Sequence, residues 1–90
     1  MRKIVLDTEK MRSLPQLHKY LHGALALPTY YGANLDALYD CLTELAEPLE
    51  LSVSAKVAEE AYLGWYGQML LQVLQDAAEA NPKLQIKVRE

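Results

Sequence analysis

The chain has 90 residues, 51% hydrophobic and 23% charged, which suits one globular domain with a modest core and excludes a mainly disordered chain. Its net charge of −3 is unevenly laid out: Lys and Arg are absent from residues 20–55 and 57–82, where Asp36, Asp40, Glu44, Glu47, Glu50, Glu59, Glu60, Asp76 and Glu79 lie. That pattern argues against a nucleic-acid partner, which needs a basic patch, and for a cationic one.

No run approaches the length of a membrane span, and the N-terminus reaches Asp7 after three apolar residues, so it lacks the apolar stretch of a signal peptide. One cysteine makes no internal disulfide, which fits a reducing, cytoplasmic setting. In chain order, Lys3-Ile4-Val5-Leu6-Asp7 reads as a short buried strand. Ser13 is a candidate N-cap, Pro15 sits in the first turn, and Leu14, Leu17, Leu21, Ala24 and Leu25 recur at helical spacing, predicting a helix to about Leu25. His18 and His22 share its outer face at i, i+4 spacing, but no acidic or Cys ligand stands near to complete a metal site. They read as a solvent-facing pair, and no cofactor or metal is expected.

After Pro28 comes an aromatic loop, Tyr30-Tyr31-Gly32-Ala33, and then a helix with Asn34 as its N-cap and Asp36 in its first turn. At about 100° per residue, Leu38, Cys41, Leu42 and Leu45 fall on one side, and Asp36, Tyr39, Asp40 and Thr43 on the opposite one. Ala46-Glu47-Pro48 closes the helix; either isomer of the Glu47–Pro48 bond is compatible with the sequence. Leu49 to Val53 alternates as a strand, and Lys56 to Ala61 suits a short helical segment. Gly64-Trp65-Tyr66-Gly67 breaks or bends the chain, with Tyr62, Trp65 and Tyr66 read mainly as core. The longest helix follows over about Gln68 to Ala80, burying Met69, Leu70, Val73, Leu74 and Ala77, and Asn81-Pro82 stops it. Leu84 to Val88 is a third strand. Strands separated by helical crossovers predict an α/β fold with a parallel sheet and right-handed connections.

Signatures of catalysis are missing: no phosphate-cradling Gly-rich loop, CxxC, HExxH or GxSxG. Asp36 and Asp40 are a carboxylate pair one turn apart, but two groups on one exposed helix face are poorly placed to flank a substrate. Cys41, on the apolar face, reads as structural. Tyr30, Tyr31 and Tyr39 around an acidic face instead suggest the centre of a protein interface. The chain is therefore read as a binding protein and not as an enzyme.

These residues resemble a known family. Tyr30-Tyr31-Gly32-x-Asn34-Leu35-Asp36-Ala37-Leu38-x-Asp40-Cys41-Leu42-Thr43 is similar to the central motif of the barstar family, intracellular inhibitors of a bacterial extracellular ribonuclease. Arg12-Ser13, Leu17-His18, Leu25-Ala26-Leu27-Pro28, Pro48-Leu49 and Leu71-Gln72-Val73 with Asp76 extend the likeness over nearly the whole chain, with residues 52–67 matching weakly. The resemblance implies a three-stranded parallel sheet packed by helices, in one domain over residues 1–90. It also implies that the acidic helix and preceding loop plug the active site of a barnase-like, guanyl-preferring ribonuclease.

Carried over, the partner-binding set is Tyr30, Asn34, Leu35, Asp36, Tyr39, Asp40, Thr43 and Glu44, with Asp76 on the last helix. Asp40 would stand in for a substrate phosphate, Asp36 would add a second charge, Tyr30 would stack near the catalytic histidine, and Asp76 would serve the rim and steering. Ala33 replaces an acidic residue of the family, Tyr39 an indole, Glu44 and Leu45 a Gly-Trp pair, and Ala80 a Glu; Pro82 stands near where a second cysteine is missing. These changes fall on the rim, which often sets partner choice. The alternative reading is a module of the same fold, or an immunity protein, for another cationic toxin or regulatory partner. No nucleic acid or membrane is expected as a partner, and the free protein is expected to be a monomer.

Overall fold

A computed structural model describes residues 2–28 and 31–90. Strand β1 (Arg2–Val5) leads through a 3₁₀ turn (Thr8–Lys10) to helix α1 (Leu14–Ala24). Helix α2 (Leu35–Thr43), strand β2 (Leu49–Ser54), a second 3₁₀ turn (Ala55–Ala58), helix α3 (Trp65–Ala80) and strand β3 (Leu84–Arg89) follow. The three strands form one parallel sheet in the order β1-β2-β3, with Ile4, Leu51 and Ile86 in register across it. An α/β architecture with a parallel sheet is thus what the crossovers implied.

Most parallel sheets are covered on both faces. Here the alternation of side chains gives the sheet two unlike faces. Leu49, Leu51, Val53 and Leu84 are buried against the helices. The other face carries Lys3, Glu50, Ser52, Gln85 and Lys87, where Lys87 pairs with Glu50 at 3.2 Å. Arg89 adds hydrogen bonds to Ser52 Oγ at 2.9 Å and to the Leu6 carbonyl at 3.1 Å. This corrects the reading of the first strand: β1 is a sheet edge, Val5 is exposed, and only Leu6 beyond its end is buried.

Ser13 caps α1 through Oγ, which accepts from the Gln16 N–H at 3.3 Å. Leu17 and Leu21 are fully buried, whereas Leu14, expected on the core stripe, is exposed at the helix start. The largest departure lies at 64–67. Gly64 has φ 57° and ψ −133°, a conformation open to glycine alone, and α3 begins directly after it, three residues earlier than its periodicity suggested. Gly67 lies inside α3 and does not break it. A Cβ there would stand 1.9 Å from the Val57 carbonyl oxygen, so the missing side chain lets α3 lie against the second 3₁₀ turn.

The aromatic residues of this region also differ from expectation. Trp65 is 68% exposed, and Met69 is exposed as well. Tyr62 donates its hydroxyl to Glu9, which pairs with Arg12 at 2.6 Å, and the Arg12 guanidinium lies 4.7 Å over the Tyr62 ring. That hydrogen bond holds the Glu9 carboxyl below its usual range. No cis peptide bond occurs among the described residues, so Glu47–Pro48 is trans.

Candidate functional site

Helix α2 starts where Asn34 Oδ1 accepts the Ala37 N–H at 2.8 Å. Leu35, Leu38 and Leu42 pin it to the core, with Cys41 and Leu45 half-buried beside them. Three carboxylates, Asp36, Asp40 and Glu44, are exposed on the far side. Tyr39 and Thr43 are half-buried at its edge, and the Thr43 hydroxyl donates to the Asp40 carbonyl at 3.0 Å. Asp76 is exposed on α3, where it accepts from Gln72 Nε2 at 2.9 Å. Among the described residues no Lys or Arg lies within ion-pair range of Asp36, Asp40, Glu44 or Asp76. Leu35 is buried, so its side chain serves the core in this state. Tyr30 lies outside the described residues.

The loop leading into α2 is tied to the scaffold by a residue the sequence reading placed in solvent. His18 is buried: its Nδ1 lies 2.6 Å from the Tyr31 hydroxyl and its Nε2 2.9 Å from the Tyr66 hydroxyl. One imidazole therefore joins α1, the loop and α3. Burial lowers the His18 pKa and raises those of Tyr31 and Tyr66, so all three are neutral near pH 7. His22 remains exposed, donates from Nε2 to the Pro28 carbonyl at 3.2 Å and stacks on Tyr31 with its ring tilted by 14°. Ala33, just before the cap, has φ 54°, a left-handed conformation unusual for a residue with a side chain.

At the other end, α2 stops at Thr43, short of the Pro48 boundary, because a side chain from α3's terminus receives it. The buried Asn81 donates from Nδ2 to the carbonyls of Leu42 at 3.0 Å and Leu45 at 3.2 Å, while its Oδ1 accepts the Lys83 N–H at 3.0 Å. Lys83 Nζ adds a bond to the Ala46 carbonyl at 2.7 Å. Of the carbonyls that a helix end leaves free, that of Leu42 is met from outside the helix, as are those of Leu45 and Ala46 in the turn beyond it. In sequence, Asn81 signals only a helix stop. Its φ of −130° needs no special residue, so the amide group is what the position uses.

This arrangement suits binding better than chemistry. Asp36 and Asp40 project from a convex helix face, and the cleft of about 500 Å³ beside the loop is lined by neither. The Cys41 thiol is pushed up by burial and by the nearby Glu44 and Asp40 carboxylates, which leaves it protonated and a poor nucleophile. No helix among the described residues is long and apolar enough to cross a membrane.

Comparison with known proteins agrees. The family model described as Barstar (barnase inhibitor) matches residues 1–89. The chain is also 41% identical over 80 residues, 88% of each chain, to a protein of Bacillus subtilis (strain 168) named "Putative ribonuclease inhibitor YrdF". Both descriptions point to a non-enzymatic inhibitor protein. With its parallel sheet, its capped acidic helix and a match that spans almost every residue, the chain belongs to the barstar family.

Proposed function

We propose that this protein inhibits a secreted, barnase-like ribonuclease by seating α2 and the loop before it in the enzyme's active site. The observation that carries this reading is the set of exposed carboxylates on α2, unpaired by any described cation and held on a helix fixed at both ends. A ribonuclease that cleaves a polyanion must offer cationic groups where the phosphate lies. Asp40 takes that phosphate's place, Asp36 adds a second charge, and Asp76 contributes at the rim. Tyr30, Asn34, Tyr39, Thr43 and Glu44 complete the contact surface, with Leu35 setting the helix's seat from below.

Inhibition is steric and electrostatic, with no chemical step. Because α2 and Tyr31 before it are already held by Asn81 and His18, little entropy is lost in placing them on docking. The natural setting is the cytoplasm of the producing cell, where the protein acts as immunity to its own ribonuclease.

The test is inhibition of a panel of guanyl-preferring ribonucleases by the wild-type protein and two variants. Asp40→Ala should weaken inhibition by more than about 100-fold, since it strands buried cationic groups of the enzyme. Glu47→Ala, beyond the helix end, should change it little. The association rate should fall as salt rises, because steering between opposite charges is screened over about 10 Å at 0.1 M salt. Equal small effects of the two variants, or a salt-independent association rate, would remove the acidic face as the docking site.

A further inference from the structure

Helices α2 and α3 lie with like ends together. Asn81 at the end of α3 bonds carbonyls at the end of α2, and Tyr66 in the first turn of α3 shares His18 with Tyr31 of the loop before α2. The first half of α3 therefore borders the loop that the proposed function puts in the enzyme.

At about 100° per residue, Trp65, Met69 and Asp76 fall within about 40° of one another on α3, opposite the buried Gly67, Leu70, Leu74 and Ala77. By the same angles Met69 falls between Trp65 and Tyr66, the residue that reaches His18. Trp65 is 68% and Met69 47% exposed, and the Trp65 ring meets the Tyr66 ring edge-on with 5.9 Å between centroids. No charged residue occurs between Glu60 and Asp76. An exposed Trp and Met one turn apart, in line with an acidic rim residue, form the kind of apolar anchor that interfaces use.

We propose that Trp65 and Met69 extend the docking face along α3 and bind the same ribonuclease, beyond the cationic groups that meet Asp36, Asp40 and Asp76. The strip of enzyme they receive is apolar, with a Lys or Arg side chain over the Trp65 ring, as a cationic partner readily supplies. This extension rests on the proposed function, and it assigns partner choice to residues outside the acidic helix.

Trp65 is the sole tryptophan, so incorporation of 5-fluorotryptophan gives one ¹⁹F resonance that belongs to the inhibitor alone. The probe is an unlabelled, catalytically inactive form of a guanyl-preferring ribonuclease that the wild-type protein inhibits in the panel. Saturation should shift the resonance and abolish its H₂O/D₂O isotope effect. Trp65→Ala and Met69→Ala should each raise Kd about 10-fold, mainly through faster dissociation, with unchanged circular dichroism. Gln85→Ala, on the uncovered sheet face, should bind as wild type.

If Asp40→Ala disrupts inhibition while the ¹⁹F signal stays put and both α3 variants bind within twofold of wild type, the extension is wrong and the acidic-face reading stands. If no ribonuclease of the panel is inhibited, both fall. A ¹⁹F signal that moves with protein concentration in the absence of enzyme identifies a second copy as the occupant and overturns the proposal.

Discussion

Replacing Asn81 by Ala removes a buried amide that joins the ends of α2 and α3 to the start of β3. Three hydrogen bonds of 3.0–3.2 Å are lost. The Leu42 carbonyl keeps a partner, since it also accepts the Glu44 N–H, so the main cost falls on the Leu45 carbonyl and the Lys83 N–H. Both of those groups are only partly buried, so at about 1 kcal/mol for each net hydrogen bond the loss is about 2–3 kcal/mol.

Asn81→Asp should cost more, about 4 kcal/mol at neutral pH, because a carboxylate offers no donor to two carbonyl oxygens and repels both. Urea unfolding at a fixed protein concentration is the assay. With a slope of about 1 kcal/mol/M for so small a domain, the midpoint should fall by about 2–3 M in Asn81→Ala and further in Asn81→Asp. Lowering the pH toward the carboxyl's own range should return part of the stability of Asn81→Asp relative to wild type. A loss below about 1 kcal/mol in Asn81→Ala, or an Asp variant no weaker than the Ala variant at pH 7, refutes the idea that this amide holds α2 in place.

Two further outcomes follow from packing and titration. Gly67→Ala gains helix propensity of about 1 kcal/mol but drives a methyl into the Val57 carbonyl, so urea unfolding should show a net loss of about 2 kcal/mol or more. His18 titrates below its unfolded value of about 6.5 because it is buried, so below that pH the unfolded chain binds a proton that the folded one refuses. Stability should therefore be full above about pH 7 and decline as pH falls from there through the folded pKa; His18→Gln should flatten that part of the pH profile in thermal melts.

Much of the architecture was legible because local signals and tertiary packing agree. Ser13 and Asn34 cap the helices they were expected to cap, and Leu49 to Val53 lines the core by its alternation. The faces of α2 were readable for the same reason, since one stripe of Leu and one of Asp leave little choice of orientation. Where the reading failed, the residue's role depended on a distant partner. His18 and His22 look alike in sequence, yet one is buried between two tyrosines 13 and 48 residues away and the other is exposed. Gly67 resembles a breaker until Val57 is placed against it. Trp65 looked like core because a large aromatic usually is, but α3 starts early and turns it outward.

The stretch from Tyr31 to Thr43 thus divides cleanly. Its own residues determine that it forms a capped amphipathic helix with an acidic outer face, because caps and hydrophobic spacing act over a few residues. Only the tertiary structure decides what that helix is anchored to at its two ends. The groups that hold it, His18, Tyr66 and Asn81, come from helices whose approach no local pattern encodes.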